Sequence, residues 1–167
     1  PLKDIPLLIS KTKIFDALTI IQNSAKNDFA IHNPRIAVLG LNPHAGENGN
    51  IGNEEKNIIT PAIKQLSKKI TVDGPFVPDA FWGTKLFKRY DFVLGMYHDQ
   101  VLIPFKLMNF DRGVNYTAGL KIIRTSPDHG TAFDIAGKGI AREQSLSEAY
   151  RFALRIHLNR KKLIEKE

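Results

Sequence analysis

There is no cysteine in this chain. That one absence excludes a disulfide framework and a thiolate metal site. It fits a reducing compartment, and the expectation is a cytoplasmic protein. Apolar runs long enough to span a bilayer are also missing, so no membrane partner is expected. The N-terminus lacks the apolar core of a signal peptide. Acid is in short supply: 17 Asp and Glu face 24 Lys and Arg, for a formal charge of +7. A basic balance admits nucleic acid, an anionic membrane surface or phosphorylated small molecules. The cations are not gathered into a stripe with interleaved aromatics. The densest run, Arg160-Lys161-Lys162, falls in a C-terminal helical pattern, where cations suit the helix dipole. No nucleic-acid partner is therefore expected.

What is present is enough for one domain with a real core: 167 residues, 43% of them hydrophobic. The first residue is Pro and not Met, which reads as a piece of a longer protein. Ile14, Leu18, Ile21 and Ala25 share one helical face and predict a helix from about Thr12 to Phe29. Arg35 to Leu41 reads as a strand, and Asn42 to Asn53 as a loop. Glu54-Glu55 opens a second helix through Ile58, Ile59, Ile63 and Leu66. Pro61 either kinks it or restarts it with Thr60 as cap. Gly74-Pro75 to Pro78-Asp79 reads as irregular. Tyr90 to Met96 is the next strand. Val114 to Thr117 and Lys121 to Thr125 are two short ones, open to pairing as an antiparallel hairpin. Ser126 to Gly130 reads as loop. Ser145-Leu146-Ser147-Glu148 has the form of a capping box. It starts a last helix with Leu146, Ala149, Ala153 and Ile156 on one face. Strands alternating with helices predict an α/β fold.

Two histidines stand where such a fold binds ligands. His44 and His98 are both read in loops, each after an apolar run taken as a buried strand. Ligands usually bind at loops leaving the carboxyl ends of strands in an α/β sheet. Each histidine has a carboxylate near it, Glu47 and Asp99 respectively. A neutral imidazole suits Zn²⁺ and similar ions, and a neighbouring carboxylate would orient it. A surface residue or a cap is the plainer reading of a lone loop histidine. Two ligands are too few for tight binding, so a third must come from elsewhere. Lys106, Asn115 and Arg124 form a second set. A lysine and an arginine beside a metal hold phosphate or carboxylate by charge-assisted hydrogen bonds. Exposed cations on short strands are the plainer reading. The third set is the glycine loop 128–139, whose small residues allow close backbone approach to a ligand. It is not the G-x-G-x-x-G fingerprint, so a nucleotide loop of another kind and an ordinary turn both stay open. His32 and His157 read as surface residues without a role.

The runs Gly40-Leu41-Asn42-Pro43-His44-Ala45-Gly46-Glu47, Tyr97-His98-Asp99-Gln100, Gly113-Val114-Asn115 and Arg124-Thr125-Ser126-Pro127-Asp128-His129-Gly130-Thr131-Ala132 carry a resemblance. In order and spacing they resemble the 4-hydroxythreonine-4-phosphate dehydrogenase family of pyridoxal phosphate biosynthesis. The resemblance runs from Pro1 to the last helix and implies the C-terminal half of such an enzyme. It implies an α/β fold like that of isocitrate and isopropylmalate dehydrogenases, an α/β/α sandwich with a mixed sheet. It implies oxidation of 4-phosphooxy-L-threonine to 2-amino-3-oxo-4-phosphooxybutyrate, which decarboxylates to 3-amino-2-oxopropyl phosphate in pyridoxine 5′-phosphate biosynthesis. The cofactors it implies are NAD, or NADP, and a divalent metal: Zn, Mg or Co.

The same resemblance gives His44 and His98 as metal ligands and Lys106, Asn115 and Arg124 as substrate-binding residues. Asp79 and Asp99 match acidic, catalytic positions near the metal. His129, Gly130, Thr131, Ala132 and Asp134 match an adenosine-binding loop. The site is expected at a homodimer interface, with His98 reaching the cation held by the other subunit. The family's third metal histidine falls upstream of Pro1, so this chain alone is expected to be inactive. Val101, Ala80 and Lys121 depart from the family's pattern without removing a side chain assigned to chemistry. Two alternatives stand beside this one. One is a paralogous dehydrogenase of a threonate or erythronate phosphate. The other is a non-catalytic remnant or dimerisation module.

Overall fold

Residues 1–128, 130 and 133–165 are described by a computed structural model. After a short helix α1 (Ile5–Leu8), Ser10 caps α2 (Lys11–Phe29) by accepting from Lys13 N–H at 3.2 Å. Ile14, Leu18 and Ala25 of α2 are buried, as their spacing predicts. The chain then enters β1 (Arg35–Leu39), buried along all but its first residue. A strand apolar on both faces belongs at the centre of a parallel sheet. Here β1 lies between β2 (Thr71–Phe76) and β3 (Phe92–Leu94) and runs parallel to both.

Alternation along β1 divides the core into two layers. Ile36 and Val38 pack with Ile14, Leu18, Ile59, Ala62, Ile63 and Val72 on the side of α2 and α3 (Thr60–Leu66). Ala37 and Leu39 pack with Phe81 of α4 (Pro78–Gly83) on the other side. Helices therefore cover both faces of the sheet.

Several elements differ from the sequence reading. β2 runs through the segment taken as irregular. Pro75 has no N–H for a ladder, but β2 is an edge strand, where proline is tolerated. Gly74 lies so close to β1 that a Cβ there would fall 2.3 Å from Val38 O. The second helix neither kinks to a stop nor takes Thr60 as a cap. A π-helical turn, Glu55–Ile59, runs into α3, with Thr60 N–H reaching back to Glu55 O. The wider turn makes room for the ring of Pro61.

α5 (His98–Asn109) contains Pro104, which cannot donate to the carbonyl of Gln100. The indole of Trp82 takes that acceptor instead, at 3.1 Å. β4 (Val114–Tyr116) and β5 (Thr125–Pro127) pair antiparallel as a separate two-stranded sheet. β5 begins where the expected strand ended, so Arg124 precedes it. Among the described residues the larger sheet is wholly parallel, and the antiparallel strands expected of a mixed sheet stand apart from it as the β4–β5 pair. α6 (Gln144–Ile164) packs along α2 and over β5. The expected capping box is absent: Ser145 lies inside the helix, and its hydroxyl donates to Gly113 O at 2.7 Å. On the predicted face Ala149 and Ile156 are buried, whereas Leu146 is 60% exposed. Among the described residues no helix is long and apolar enough to cross a membrane.

Candidate active site

Parallel neighbours send their carboxyl ends to one edge of the sheet, about 4.8 Å from strand to strand. Three of the candidate residues leave from that edge. His44 follows β1, Asp79 stands in the first turn of α4 after β2, and His98 follows β3. The exits are tied together. Gly40 N–H donates to Phe76 O at 2.8 Å, joining the ends of β1 and β2. Gln100, 7% exposed, joins β1 to β3: its Nε2 donates to Gly40 O at 2.6 Å and its Oε1 accepts from Met96 N–H at 2.7 Å.

His44 opens an unusual stretch of backbone. His44, Ala45, Gly46, Glu47 and Asn48 all have positive φ, from 43° to 81°. For the four that are not glycine this costs about 1–2 kcal/mol each. Strain of this kind persists only where the surroundings impose it, and it clusters at functional sites. The group packed beneath this loop is Glu55, 4% exposed. Its Oε1 accepts from the N–H groups of Leu41 and Asn42 at 2.7 and 2.8 Å. Its Oε2 accepts from Asn42 Nδ2 at 2.9 Å. Glycine is required at 46 because a Cβ there would lie 2.6 Å from both Glu55 Oε2 and Gly52 O. Sequence reasoning missed Glu55, which reads only as an acidic residue in a first helical turn. It missed Gln100 as well, whose two partners are remote in sequence or on the main chain.

His98 is not in a loop. It is the first residue of α5, and Asp99 is in that helix's first turn. The two side chains, 78% and 67% exposed, meet through His98 Nδ1 and Asp99 Oδ1 at 2.6 Å. A proton held between Nδ1 and Asp99 leaves the Nε2 lone pair for a cation. His44 and Asp79 are exposed too. The donor chemistry therefore suits a divalent ion. The donor number on one chain does not: among the described residues no three His, Cys, Asp or Glu are grouped to hold a metal.

The second candidate set lies elsewhere in the fold. Lys106 is eight residues along α5 from His98, and its Nζ donates to Asp128 O at 3.1 Å and stands 3.5 Å from Asp128 Oδ2. Asn115, exposed, is the middle residue of β4. Arg124, exposed, donates through Nη1 to Thr117 Oγ1 at 2.8 Å. Lys106 lies at one end of the antiparallel pair, where Asp128 N–H donates to Gly113 O at 3.2 Å. Among the described residues no hydrogen bond or ion pair joins this set to His44, His98 or Asp79. Of the expected adenosine loop, Gly130 is exposed and Asp134 sits exposed in a short 3₁₀ turn, Phe133–Ile135. His129, Thr131 and Ala132 lie outside the described residues.

Comparison with known proteins gives these positions a context. The family described as "Pyridoxal phosphate biosynthetic protein PdxA" matches residues 1–153. The 4-hydroxythreonine-4-phosphate dehydrogenase of Sulfurihydrogenibium sp. is 51% identical over 162 residues, which are 96% of this chain and 50% of that protein. The enzyme of the same name from Prosthecochloris aestuarii is 49% identical over 156 residues, 93% of this chain and 46% of that protein. A crystal structure of 4-hydroxythreonine-4-phosphate dehydrogenase from Klebsiella pneumoniae superimposes with a TM-score of 0.77 at 42% identity, covering 96% of this chain and 48% of that one. A terephthalate 1,2-cis-dihydrodiol dehydrogenase from Burkholderia xenovorans does so with a TM-score of 0.71 at 28% identity, covering 92% and 48%. The chain spans about half the length of the curated relatives it matches. With the family's match running through nearly every element described above, this chain belongs to the PdxA family of pyridoxal phosphate biosynthetic proteins.

Proposed function

We propose that this chain supplies the C-terminal half of an NAD- and divalent-metal-dependent dehydrogenase acting on 4-phosphooxy-L-threonine. The observation that carries the proposal is the edge at which β1, β2 and β3 end. It brings His44, Asp79 and the His98–Asp99 pair to one side of the sheet and ties the exits together through Gly40 and Gln100. His44 and His98 would hold the cation, each from a different copy of the chain in a homodimer, because the described residues of one chain gather too few donors. A bound divalent ion supplies Lewis acidity toward the substrate's secondary alcohol.

The chain's own residues do the rest. Asp99 fixes the His98 ring through Nδ1. Lys106 and Arg124 grip the phosphate with charge-assisted hydrogen bonds, and Asn115 contributes a neutral one. We assign removal of the alcohol proton to Asp79. NAD, when bound, would supply the hydride acceptor, and the electron pair of the O–H bond that Asp79 breaks becomes the second C–O bond of the ketone. The resulting β-keto acid loses CO₂, and the carbon that carried it takes a proton. Gly130 and Asp134 stand on the loop that we assign to the adenosine of NAD.

The fold does not choose the alcohol, since a dihydrodiol dehydrogenase shares it. The cationic set does, and it points to a phosphorylated substrate. The test is NADH formation by the complete gene product with 4-phosphooxy-L-threonine and with 4-phosphoerythronate, each with and without added divalent ion. Turnover of the first, abolished by chelation, supports the proposal. Preference for the second would move the protein to a paralogous activity. Failure with both ends the assignment.

A further inference from the structure

The loop between β4 and β5, residues 117–124, is closed at its neck. Thr117 N–H donates to Arg124 O at 3.1 Å, and Arg124 Nη1 donates to Thr117 Oγ1 at 2.8 Å. Further out the loop is held from α6. Arg160 donates through Nη1 to Lys121 O at 2.8 Å and through Nη2 to Leu120 O at 3.2 Å. The third arm of the same guanidinium, Nε, donates to Asp28 Oδ1 at 2.5 Å. Asp28, at the end of α2, is 2% exposed. Its other carboxylate oxygen accepts from the hydroxyl of Tyr116 in β4, and its main-chain carbonyl accepts from Asn159 Nδ2 at 2.8 Å. The Asp28 hydrogen bond is the largest influence raising the Arg160 pKa, so this guanidinium stays charged at any working pH.

Strand alternation connects this clasp to the candidate site. Successive residues of β4 face opposite ways. Tyr116 faces α2 and α6, where its ring lies 5.5 Å from Phe29 and 5.9 Å from Phe152 between centroids. Asn115 and Thr117 therefore face the other way, and Thr117 carries Arg124 with it. The anchored face and the ligand-facing side are two sides of one hairpin. Arg124 uses one of its five N–H donors on Thr117 and keeps the others for an anion.

We infer that Asp28, Arg160 and Tyr116 form the device that positions the phosphate-binding arm Asn115–Arg124, with Arg160 as its positioning residue. The inference rests on the proposed function for the identity of the ligand, a phosphate monoester, and on geometry alone for the clasp. Arg160 touches no substrate. It sets where Arg124 and Asn115 stand by holding the Leu120 and Lys121 carbonyls and by orienting the Asp28 carboxylate that anchors Tyr116.

The experiment compares Arg160→Lys and Arg160→Gln in the complete protein. Lysine keeps a charge for Asp28 but has no planar fork to reach two carbonyls as well. Three quantities are read: melting temperature, amide exchange of residues 117–124, and KM against kcat for the phosphorylated substrate, with inorganic phosphate as competing anion. Arg160→Lys restores most of the melting temperature that Arg160→Gln loses. Both variants speed exchange of 117–124, and both raise KM and the phosphate inhibition constant by about tenfold, as expected for losing bonds from a charged donor, with kcat nearly unchanged. The inference is overturned if KM follows melting temperature across the two variants, or if exchange of 117–124 matches the parent. A parent that oxidises neither phosphorylated substrate refutes the proposed function, and the exchange result still decides the clasp.

Discussion

Glu55→Gln separates the strained His44 loop from the rest of the fold. The carboxylate of Glu55 accepts three hydrogen bonds, two from the Leu41 and Asn42 N–H groups and one from Asn42 Nδ2. A glutamine oxygen keeps the two main-chain bonds but makes them neutral, at a loss of about 1 kcal/mol each. Its amide nitrogen then faces Asn42 Nδ2, donor against donor, which costs about another 1–3 kcal/mol. The sum, about 3–5 kcal/mol, is set against a left-handed run costing about 4–8 kcal/mol over its four non-glycine residues. The two are comparable, so the loop opens locally while the sheet stays intact. Amide exchange is the assay. Protection over residues 41–51 falls by about a hundredfold or more, the equivalent of 3 kcal/mol, while Ile36–Leu39 stays protected. Glu47→Gln, at an exposed position in the same loop, serves as control and changes little. Unchanged protection of 41–51 in Glu55→Gln would refute the claim that this carboxylate supports the loop's conformation.

Three further outcomes are expected. Leu18→Ala empties a fully buried site between α2 and β1 and lowers unfolding free energy by about 2–5 kcal/mol in urea titration, with a smaller loss only if the cavity collapses. Burial first, and then the Asp28 hydrogen bond, hold the Tyr116 hydroxyl above its ordinary pKa. Both states keep that proton below about pH 10, and above it the unfolded chain ionises first, so stability falls as pH rises from there through the folded pKa. Tyr116→Phe therefore flattens the loss of urea midpoint between neutral and strongly alkaline pH, and an unchanged slope contradicts the assignment. Asp99→Asn leaves His98 without its charged orienting partner and weakens divalent-ion affinity of the complete protein by about 10- to 100-fold, measured by calorimetry.

What the sequence disclosed follows from where the information sits. The faces of α2 and both faces of β1 depend on apolar spacing, and their periodicity is plain in the residues. β2 and α5 were obscured by Gly74-Pro75 and Pro104, because proline penalties are local while their remedies are tertiary. β2 lies at an edge, and Trp82 satisfies the carbonyl that Pro104 leaves. The apparent capping box at Ser145 fails for a similar reason: its hydroxyl is claimed by Gly113, 32 residues away. The apolar runs ahead of His44 and His98 made the strands legible, but not the helix that His98 begins. The left-handed path through His44 was not legible either, since the carboxylate packed beneath that loop belongs to a residue 11 positions later and acts on main-chain N–H groups. Gln100 acts across 60 residues on a carbonyl, and main-chain acceptors leave no trace in composition.

The central claim is that His44 of one copy and His98 of another hold the same cation. Mixing His44→Ala and His98→Ala variants of the complete protein, unfolded and refolded together, tests it most directly. In a mixed dimer one site carries both substitutions and the other carries neither. Random pairing then restores about a quarter of the parent's divalent-ion capacity and turnover, although each variant alone has none. A mixture as inert as its components would contradict the account.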